Sequence, residues 1–530
     1  MRKNYTLRNT QYAMSIKSPH LPILILLLIS LLIGIFTFQD YGMTWDERLY
    51  YEYAEAIGYA YSIPDRLSGD FDINRAYGPS VGDHRNRGPA YLLLVRGEVN
   101  LLHALTGIDK VALWHLMNLI VFLIGIFFLY KLSLRWLKPW SAFAAALLYT
   151  SQPLLWGHAF INPKDPPFTT IFIVTIYFGF KMVDQLSITE ASEKASVTMR
   201  LRQVTLTGIL IGLATNLRVI GPLIGVLIFV YALFKRKPKI LLWFVPTALI
   251  ALLSVYLTWP YLWDAPIARF IEILTLMSHN PTSLKVLFYG QTYRAYELPL
   301  RYLPVLLGVT LTEPVWLLFV FGLIIALARS FRKEVEWQTL GIVIFWFAFM
   351  ALYVLAARPP MYDGFRHFLF ILPPVFIVTG FAFEKLLFWA RNNWLRAALL
   401  LAITLPGVLA GIRLHPYEYT YYNAFVGGTS GAEGTYETDY WLTCYKEAVE
   451  QFNEYAPPGS TLIAYREAAN AAYYAAEDIE VVPFHTLEDG DYLLLSARLN
   501  EVNTVKRHSP AVISIERDGA TFCVVKEVKK

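Results

Sequence analysis

Two short acidic motifs and a scatter of arginines are the residues of this 530-residue chain best suited to chemistry. The first motif is Thr44-Trp45-Asp46-Glu47, just past a long apolar run. One carboxylate there could take a proton from an attacking hydroxyl, while its neighbour binds substrate or holds the first in place. The plain alternative is a solvated acidic pair, in a stretch (40–110) that carries eleven acidic residues. The second motif lies in His158-Ala159-Phe160-Ile161-Asn162-Pro163-Lys164-Asp165-Pro166-Pro167. Its prolines stiffen a turn, and Pro166 and Pro167 suit the first turn of a helix. Asp165 either caps that helix or faces Asp46 across a pocket. Lys164 is either an interface anchor or a substrate contact.

A cavity for anionic head groups needs fixed cations. Arg85 and Arg87 stand in Asp83-His84-Arg85-Asn86-Arg87-Gly88-Pro89, and Arg218 interrupts an apolar run. Arg294 lies in a second large loop, and Arg366-His367 ends the segment that begins Arg358-Pro359-Pro360. An arginine in or near a membrane is costly and marks a functional hypothesis. Phosphate is its natural ligand, because a guanidinium offers forked donors and keeps its charge. Snorkelling to the interface is the alternative for each. His115 and His158 sit on apolar runs and read as satisfied core residues. No spacing makes a strong metal site, although Asp46 and Asp165 could share a divalent ion. No glycine-rich phosphate loop is present.

The elements that must position these groups are membrane helices. Hydrophobic residues make up 56% and charged ones only 16%, which excludes a disordered chain and an ordinary soluble enzyme. Eleven spans are expected: 21–39, 111–130, 139–163, 166–180, 203–217, 219–234, 240–263, 314–328, 337–357, 368–383 and 397–412. With the N-terminus inside, the cytoplasmic stretches hold 21 of the 46 Lys and Arg. The net charge of +5 is therefore topogenic, and no nucleic-acid partner is implied. The first span reads as an uncleaved anchor. The C-terminus falls outside the cell membrane.

The expected fold is a polytopic α-helical membrane protein with a small extracytoplasmic α/β domain. The membrane part covers 1–412, with outer loops at 40–110 and 264–310, the latter including an interfacial helix at 266–277. The α/β domain covers 413–530. Its helix at 440–455 precedes strands near 461–465, 480–483 and 492–496, a second helix at 467–476, and a hairpin around Asp518-Gly519. The two cysteines, Cys444 and Cys523, both lie in it, and a disulfide or two buried thiols fit equally.

An N-terminal span followed at once by Asp46-Glu47, a long first outer loop and a second acidic motif together resemble the GT-C superfamily of membrane glycosyltransferases. The likeness is to the glycosyltransferase family 39 branch, with protein mannosyltransferases, aminoarabinose transferases and RgtA/B/C/D-like bacterial proteins. Arg366-His367-Phe368-Leu369-Phe370-Ile371-Leu372-Pro373-Pro374 resembles a late stretch of those chains. His415-Pro416-Tyr417-Glu418-Tyr419 and Tyr436-Glu437-Thr438-Asp439-Tyr440-Trp441 resemble the start of their outer domain. The resemblance implies transfer of a hexose or pentose from a polyprenyl-phosphate donor to a lipid, glycan or protein acceptor, with inversion. It assigns Asp46 as general base, Glu47 as its partner and Asp165 as the second acidic motif. Arg87 matches the carrier-phosphate position, where relatives often carry Lys before Pro-Pro; here Arg-Gly-Pro leaves Arg85 as a competitor. Arg218, Arg294 and Arg366 are further phosphate candidates, with Lys164 and His367 as substrate contacts. The resemblance implies no nucleotide sugar and no certain cofactor; metal use varies in the superfamily, which leaves a divalent ion at Asp46 and Asp165 open. The alternatives are a membrane transporter or lipid flippase, or an O-antigen ligase- or polymerase-like enzyme using a diphosphate-linked donor.

Overall fold

The computed structural model describes residues 20–191, 197–279, 282–487 and 490–528. The basic residues Arg2, Lys3, Arg8 and Lys17 lie outside them. Each of the eleven apolar stretches falls on helix. Among the described residues, seven helices are long and apolar enough to cross a membrane: Lys110–Ser133, Asp165–Ile188, Pro238–Thr258, Pro314–Phe331, Trp337–Ala357, Arg366–Trp389 and Asn393–Leu414. Leu21–Thr37 and Pro222–Phe234 are apolar but shorter. The chain is a multi-pass membrane protein.

The stretch 139–163 departs from a single span. It forms Pro139–Thr150 and Pro153–Ile161, because Pro153 can open a helix but cannot continue one. Gln152 satisfies the break: its side chain donates to the Leu148 carbonyl at 2.9 Å and accepts the Thr312 N–H at 2.9 Å. The helix Leu372–Trp389 is buried at the centre of the bundle from Leu372 to Phe383. Pro314–Phe331 and Asn393–Leu414 instead expose Leu317, Val320 and Ile324, or Leu401, Val408 and Ile412. An apolar outer face is what hydrocarbon solvent demands of a helix whose backbone is internally bonded.

The large loops are ordered by the same rules. The interfacial helix is Pro266–His279, followed by a hairpin of β1 (Lys285–Phe288) and β2 (Gln291–Arg294). The C-terminal region carries β3 (Thr461–Ala464), β4 (Glu480–Pro483), β5 (Tyr492–Ser496), β6 (Ala511–Arg517) and β7 (Ala520–Glu527). Their order is β4-β3-β5-β7-β6, parallel as far as β5 and antiparallel beyond it. Leu462, Leu494, Phe522 and Val525 pack one face with Val449 and Phe452 of the helix Tyr445–Tyr455. Asp518 and Gly519 both take positive φ, the backbone of a tight hairpin turn.

The helix expected over 440–455 starts five residues later. The Asp439 carboxylate accepts the backbone N–H groups of Trp441, Thr443 and Cys444, and Leu442 has positive φ. That knot ends at Cys444, which is bonded to Cys523 on β7. The second helix shrinks to Ala468–Ala472.

Candidate active site

Asp46 and Glu47 open the helix Trp45–Ala56, and their neighbours give them separate roles. Thr44 and Glu47 form a capping box: the Glu47 N–H donates to Thr44 Oγ1, and the Thr44 N–H donates to Glu47 Oε2 at 2.7 Å. The Tyr51 hydroxyl donates to Glu47 Oε1 at 2.5 Å, and His115 Nε2 lies 3.0 Å from the same oxygen. Glu47 is fully buried. Asp46, on the other side of the first turn, is 24% exposed. Its Oδ2 pairs with Arg366 Nη2 at 3.0 Å, and among the described residues Oδ1 has no partner.

Asp165 is the first residue of the helix Asp165–Ala191. Asn162 shapes the turn before it, accepting the N–H groups of Lys164 and Asp165 on Oδ1 and donating from Nδ2 to Asp165 Oδ2 at 3.0 Å. Arg218 pairs with Asp165 Oδ1, and Arg366 Nη1 lies 3.5 Å from Oδ2. Arg366 thus stands between Asp46 and Asp165, 5% exposed, where a shared cation would sit. With guanidinium groups on both oxygens of Asp165, this donor set does not fit a divalent ion. Among the described residues the metal-capable grouping is Asp439, Cys444 and Cys523, whose sulfurs are consumed by the disulfide.

Arg87 reaches the same place from the first loop. Its Nη1 donates to the Tyr50 hydroxyl at 2.9 Å, and its nearest carboxylate is the exposed Asp83, at 4.0 Å. Gly88 permits this approach: a Cβ there would overlap the Asn216 backbone carbonyl, at the end of the helix Val197–Leu217. Asn216 Oδ1 also accepts the Ala90 N–H at 2.7 Å. Lys164 lies with its ammonium 5.7 Å from the Tyr50 ring centre and has no ion-pair partner among the described residues. Burial, with Arg218, Arg87 and Arg366, pulls the Lys164 ammonium well below the usual lysine range, Asp46 opposing. Buried Nε atoms of Arg218 and Arg366 lack hydrogen-bond partners among the described residues.

The remaining expected residues divide. His367 sits beside the cluster with its ring 4.7 Å from that of Tyr362. Arg85 does not enter: its guanidinium lies over Tyr261, and its carbonyl accepts the Trp259 indole N–H. Arg294 is exposed on β2, bonded to the Tyr296 hydroxyl, outside the cluster. Neither guanidinium is brought to the cluster: Tyr261 holds that of Arg85 and Tyr296 that of Arg294. His158 is buried, within 3.0 Å of the Tyr440 hydroxyl.

Three groups were missed from sequence. Asp363 is fully buried and accepts from Arg366 Nη2 at 3.0 Å, from the Trp441 indole at 3.0 Å and from Arg498 Nη1 at 2.7 Å. In Arg358-to-His367 the cations are the conspicuous charges, and nothing in the sequence marks the carboxylate three residues before Arg366 as their partner. Trp441 and Arg498 come from the C-terminal region, and nothing local to Arg498 signals the contact.

No family profile matches the sequence, and no curated protein matches it. Solved structures do. The archaeal oligosaccharyltransferase AglB from Archaeoglobus fulgidus, in complex with an inhibitory peptide and a dolichol-phosphate, superposes with a TM-score of 0.51 at 13% identity, over 89% of this chain and 69% of that one. Its apo form gives 0.50 at 13% identity over the same shares. ArnT from Cupriavidus metallidurans, in the apo state, gives 0.49 at 14% identity over 95% of this chain and 97% of that one. The chain thus shares its fold with that archaeal membrane protein.

Proposed function

We propose that the chain is an inverting glycosyltransferase that moves a sugar from a polyprenyl-phosphate carrier to an acceptor hydroxyl, with Asp46 as general base. The observation that carries this is the charge pattern around Asp46. A partly exposed carboxylate whose Oδ1 has no partner among the described residues lies beside Arg87, Lys164 and Arg218, and among the described residues Arg218 alone of these cations has a buried counter-ion. Such a site offers a base on one side and uncompensated donors for a leaving phosphate on the other. The dolichol-phosphate held by the archaeal enzyme of like fold supports a lipid-linked donor here.

In the reaction the acceptor oxygen attacks the anomeric carbon and its proton passes to Asp46 Oδ1. The bond from that carbon to the phosphate oxygen breaks, its electron pair leaving on the carrier phosphate. Arg87, Lys164 and Arg218 stabilise that charge. A single displacement inverts the anomeric centre, and no metal step is needed. Asp165 keeps Arg218 and Arg366 in place.

The orientation that suits this reaction has the N-terminus cytoplasmic and the C-terminal region extracytoplasmic. A disulfide between Cys444 and Cys523 supports the oxidising side for the latter. The test uses purified protein with polyprenyl phosphate and polyprenyl-phosphate hexose. Wild type should be stabilised thermally by the carrier. Asp46→Asn should keep that stabilisation and lose sugar transfer or donor hydrolysis, and Arg87→Ala should weaken the stabilisation. Absence of any response to carrier in folded protein favours a transporter or a diphosphate-donor enzyme.

A further inference from the structure

We propose that Arg498 of the C-terminal region is a positioning residue of the active site, acting through Asp363 to fix Arg366 on Asp46. Arg366 then orients the base and leaves the phosphate to Arg87, Lys164 and Arg218. This rests on the transferase reading above and refines it, because Arg366 moves from the phosphate-binding set to the base.

Arg498 is 1% exposed and lies 135 residues along the chain from Asp363. Its Nη1 donates to Asp363 Oδ1 at 2.7 Å and to the Tyr440 carbonyl at 2.5 Å. Its guanidinium lies 4.2 Å from the ring centre of Trp45, the residue before the base. The Trp45 N–H donates in turn to the Trp441 carbonyl at 3.3 Å. The start of the Asp46 helix is thus held from the C-terminal side by both a stacked cation and a backbone bond.

The other oxygen of Asp363 faces Arg366. It accepts from Arg366 Nη2 and from the Trp441 indole N–H, while the Arg366 guanidinium lies 4.7 Å from the Trp441 ring centre. Arg366 therefore has Asp46, Asp165 and Asp363 as counter-ions. A phosphate would compete with three carboxylates for it. Lys164 and Arg87 carry no such burden. A buried ion pair broken on one side leaves an unpaired charge, so the cost of losing Arg498 falls on Asp363 and through it on Arg366. Asp363 itself holds a positive φ, and so does Gly364 after it, a tight bend that aims its carboxylate between the two guanidinium groups.

A role confined to docking the two parts of the chain predicts loss of fold or of all functions together. Positioning predicts a split. In Arg498→Gln, turnover of polyprenyl-phosphate hexose should fall about 10²-fold, as expected for a displaced catalytic group. The affinity for polyprenyl phosphate should stay within about twofold, since no phosphate donor is disturbed. Trp441→Phe removes one donor to Asp363 while keeping an aromatic ring at this position, and should cost turnover about tenfold, the value of one hydrogen bond to a charged group. Arg498→Lys should restore part of the rate, and Asp363→Asn combined with Arg498→Gln should cost no more than the worse single change. If Arg498→Gln does not fold, Trp441→Phe decides the matter. Parallel loss of carrier affinity and turnover, or unchanged turnover in Trp441→Phe, overturns the proposal. Wild type that binds no polyprenyl phosphate refutes the transferase reading beneath it, a separate and visible failure.

Discussion

Replacing Glu47 and replacing Asp46 should produce opposite defects, although the two residues are adjacent and alike. Glu47→Ala removes the acceptor of the Thr44 N–H and of the Tyr51 hydroxyl. Losing the reciprocal half of the capping box costs about 1 kcal/mol, and each buried donor left unsatisfied costs about 1–3 kcal/mol. Part of that overlaps, so about 3 kcal/mol of local stability should be lost over the helix Trp45–Ala56. Hydrogen exchange reads local opening directly, and at about 1.4 kcal/mol per decade the amides of this helix should exchange about 10²-fold faster. Asp46→Asn should leave the exchange untouched, because Asp46 contributes no cap, and should abolish sugar transfer. Glu47→Gln is the sharper probe. Its amide can still accept the Thr44 N–H, but as a neutral group it weakens the contacts with Tyr51 and His115, so its exchange should fall between wild type and Glu47→Ala. Wild-type exchange in Glu47→Ala, or full transfer activity in Asp46→Asn, would refute the division of roles.

Three other outcomes follow from named contacts. Burial works against protonation of His415, but hydrogen bonds and charge from Glu418 and Asp40 outweigh it and raise its pKa to about 9. The stabilisation is fully present below the ordinary 6.5 and is lost as pH rises through about 9; His415→Gln should therefore lower the thermal midpoint at pH 6 and leave it nearly unchanged at pH 10. Gly88→Ala forces the first loop away from Asn216 and with it Arg87, so carrier affinity should fall at least about tenfold by titration, since one charge-assisted contact is worth that much. Chelation of divalent ions should leave transfer unchanged within error, because Arg366 fills the place between Asp46 and Asp165; loss of activity restored by added metal would overturn that.

The parts of this molecule that were legible in the sequence are those set by solvent and by local covalent chemistry. Apolar length marked the helices, and Pro153 broke the one that was read as continuous. Asp518-Gly519 marked the hairpin because few other pairs take that backbone. Asp46, Asp165, Arg87 and Arg218 stood out as charges at the ends of apolar runs, where a charge is expensive. Arg294 stood out equally, yet Tyr296, two residues on, engages it at the surface. The contacts of Glu47 were out of reach for a related reason: Tyr51 and His115 are ordinary residues until the helices bring them to its carboxylate. Asp363 and Arg498 were beyond reach, since their pairing is made only by the docking of the C-terminal region.

The charges around the base do not balance, and the imbalance has a testable consequence. Arg87, Lys164, Arg218, Arg366 and Arg498 face the carboxylates of Asp46, Asp165 and Asp363, and Arg87 adds only the exposed Asp83, at 4.0 Å. Glu437 does not offset them at neutral pH, because burial, helped by Asp363 and opposed by Arg498, pushes it up to about 8. The one cation able to relieve the excess by losing a proton is Lys164, whose ammonium its buried, cationic surroundings already disfavour. A phosphate placed among these groups reverses that pressure and raises the pKa of Lys164, so carrier binding should take up a proton. Affinity should then fall as pH rises, and calorimetric titration in buffers of different ionisation enthalpy should show proton uptake above neutral pH. Lys164→Arg, which keeps its charge, should bind carrier with no uptake and a flatter pH dependence. Identical proton uptake in wild type and Lys164→Arg would show that Lys164 is not the group that titrates.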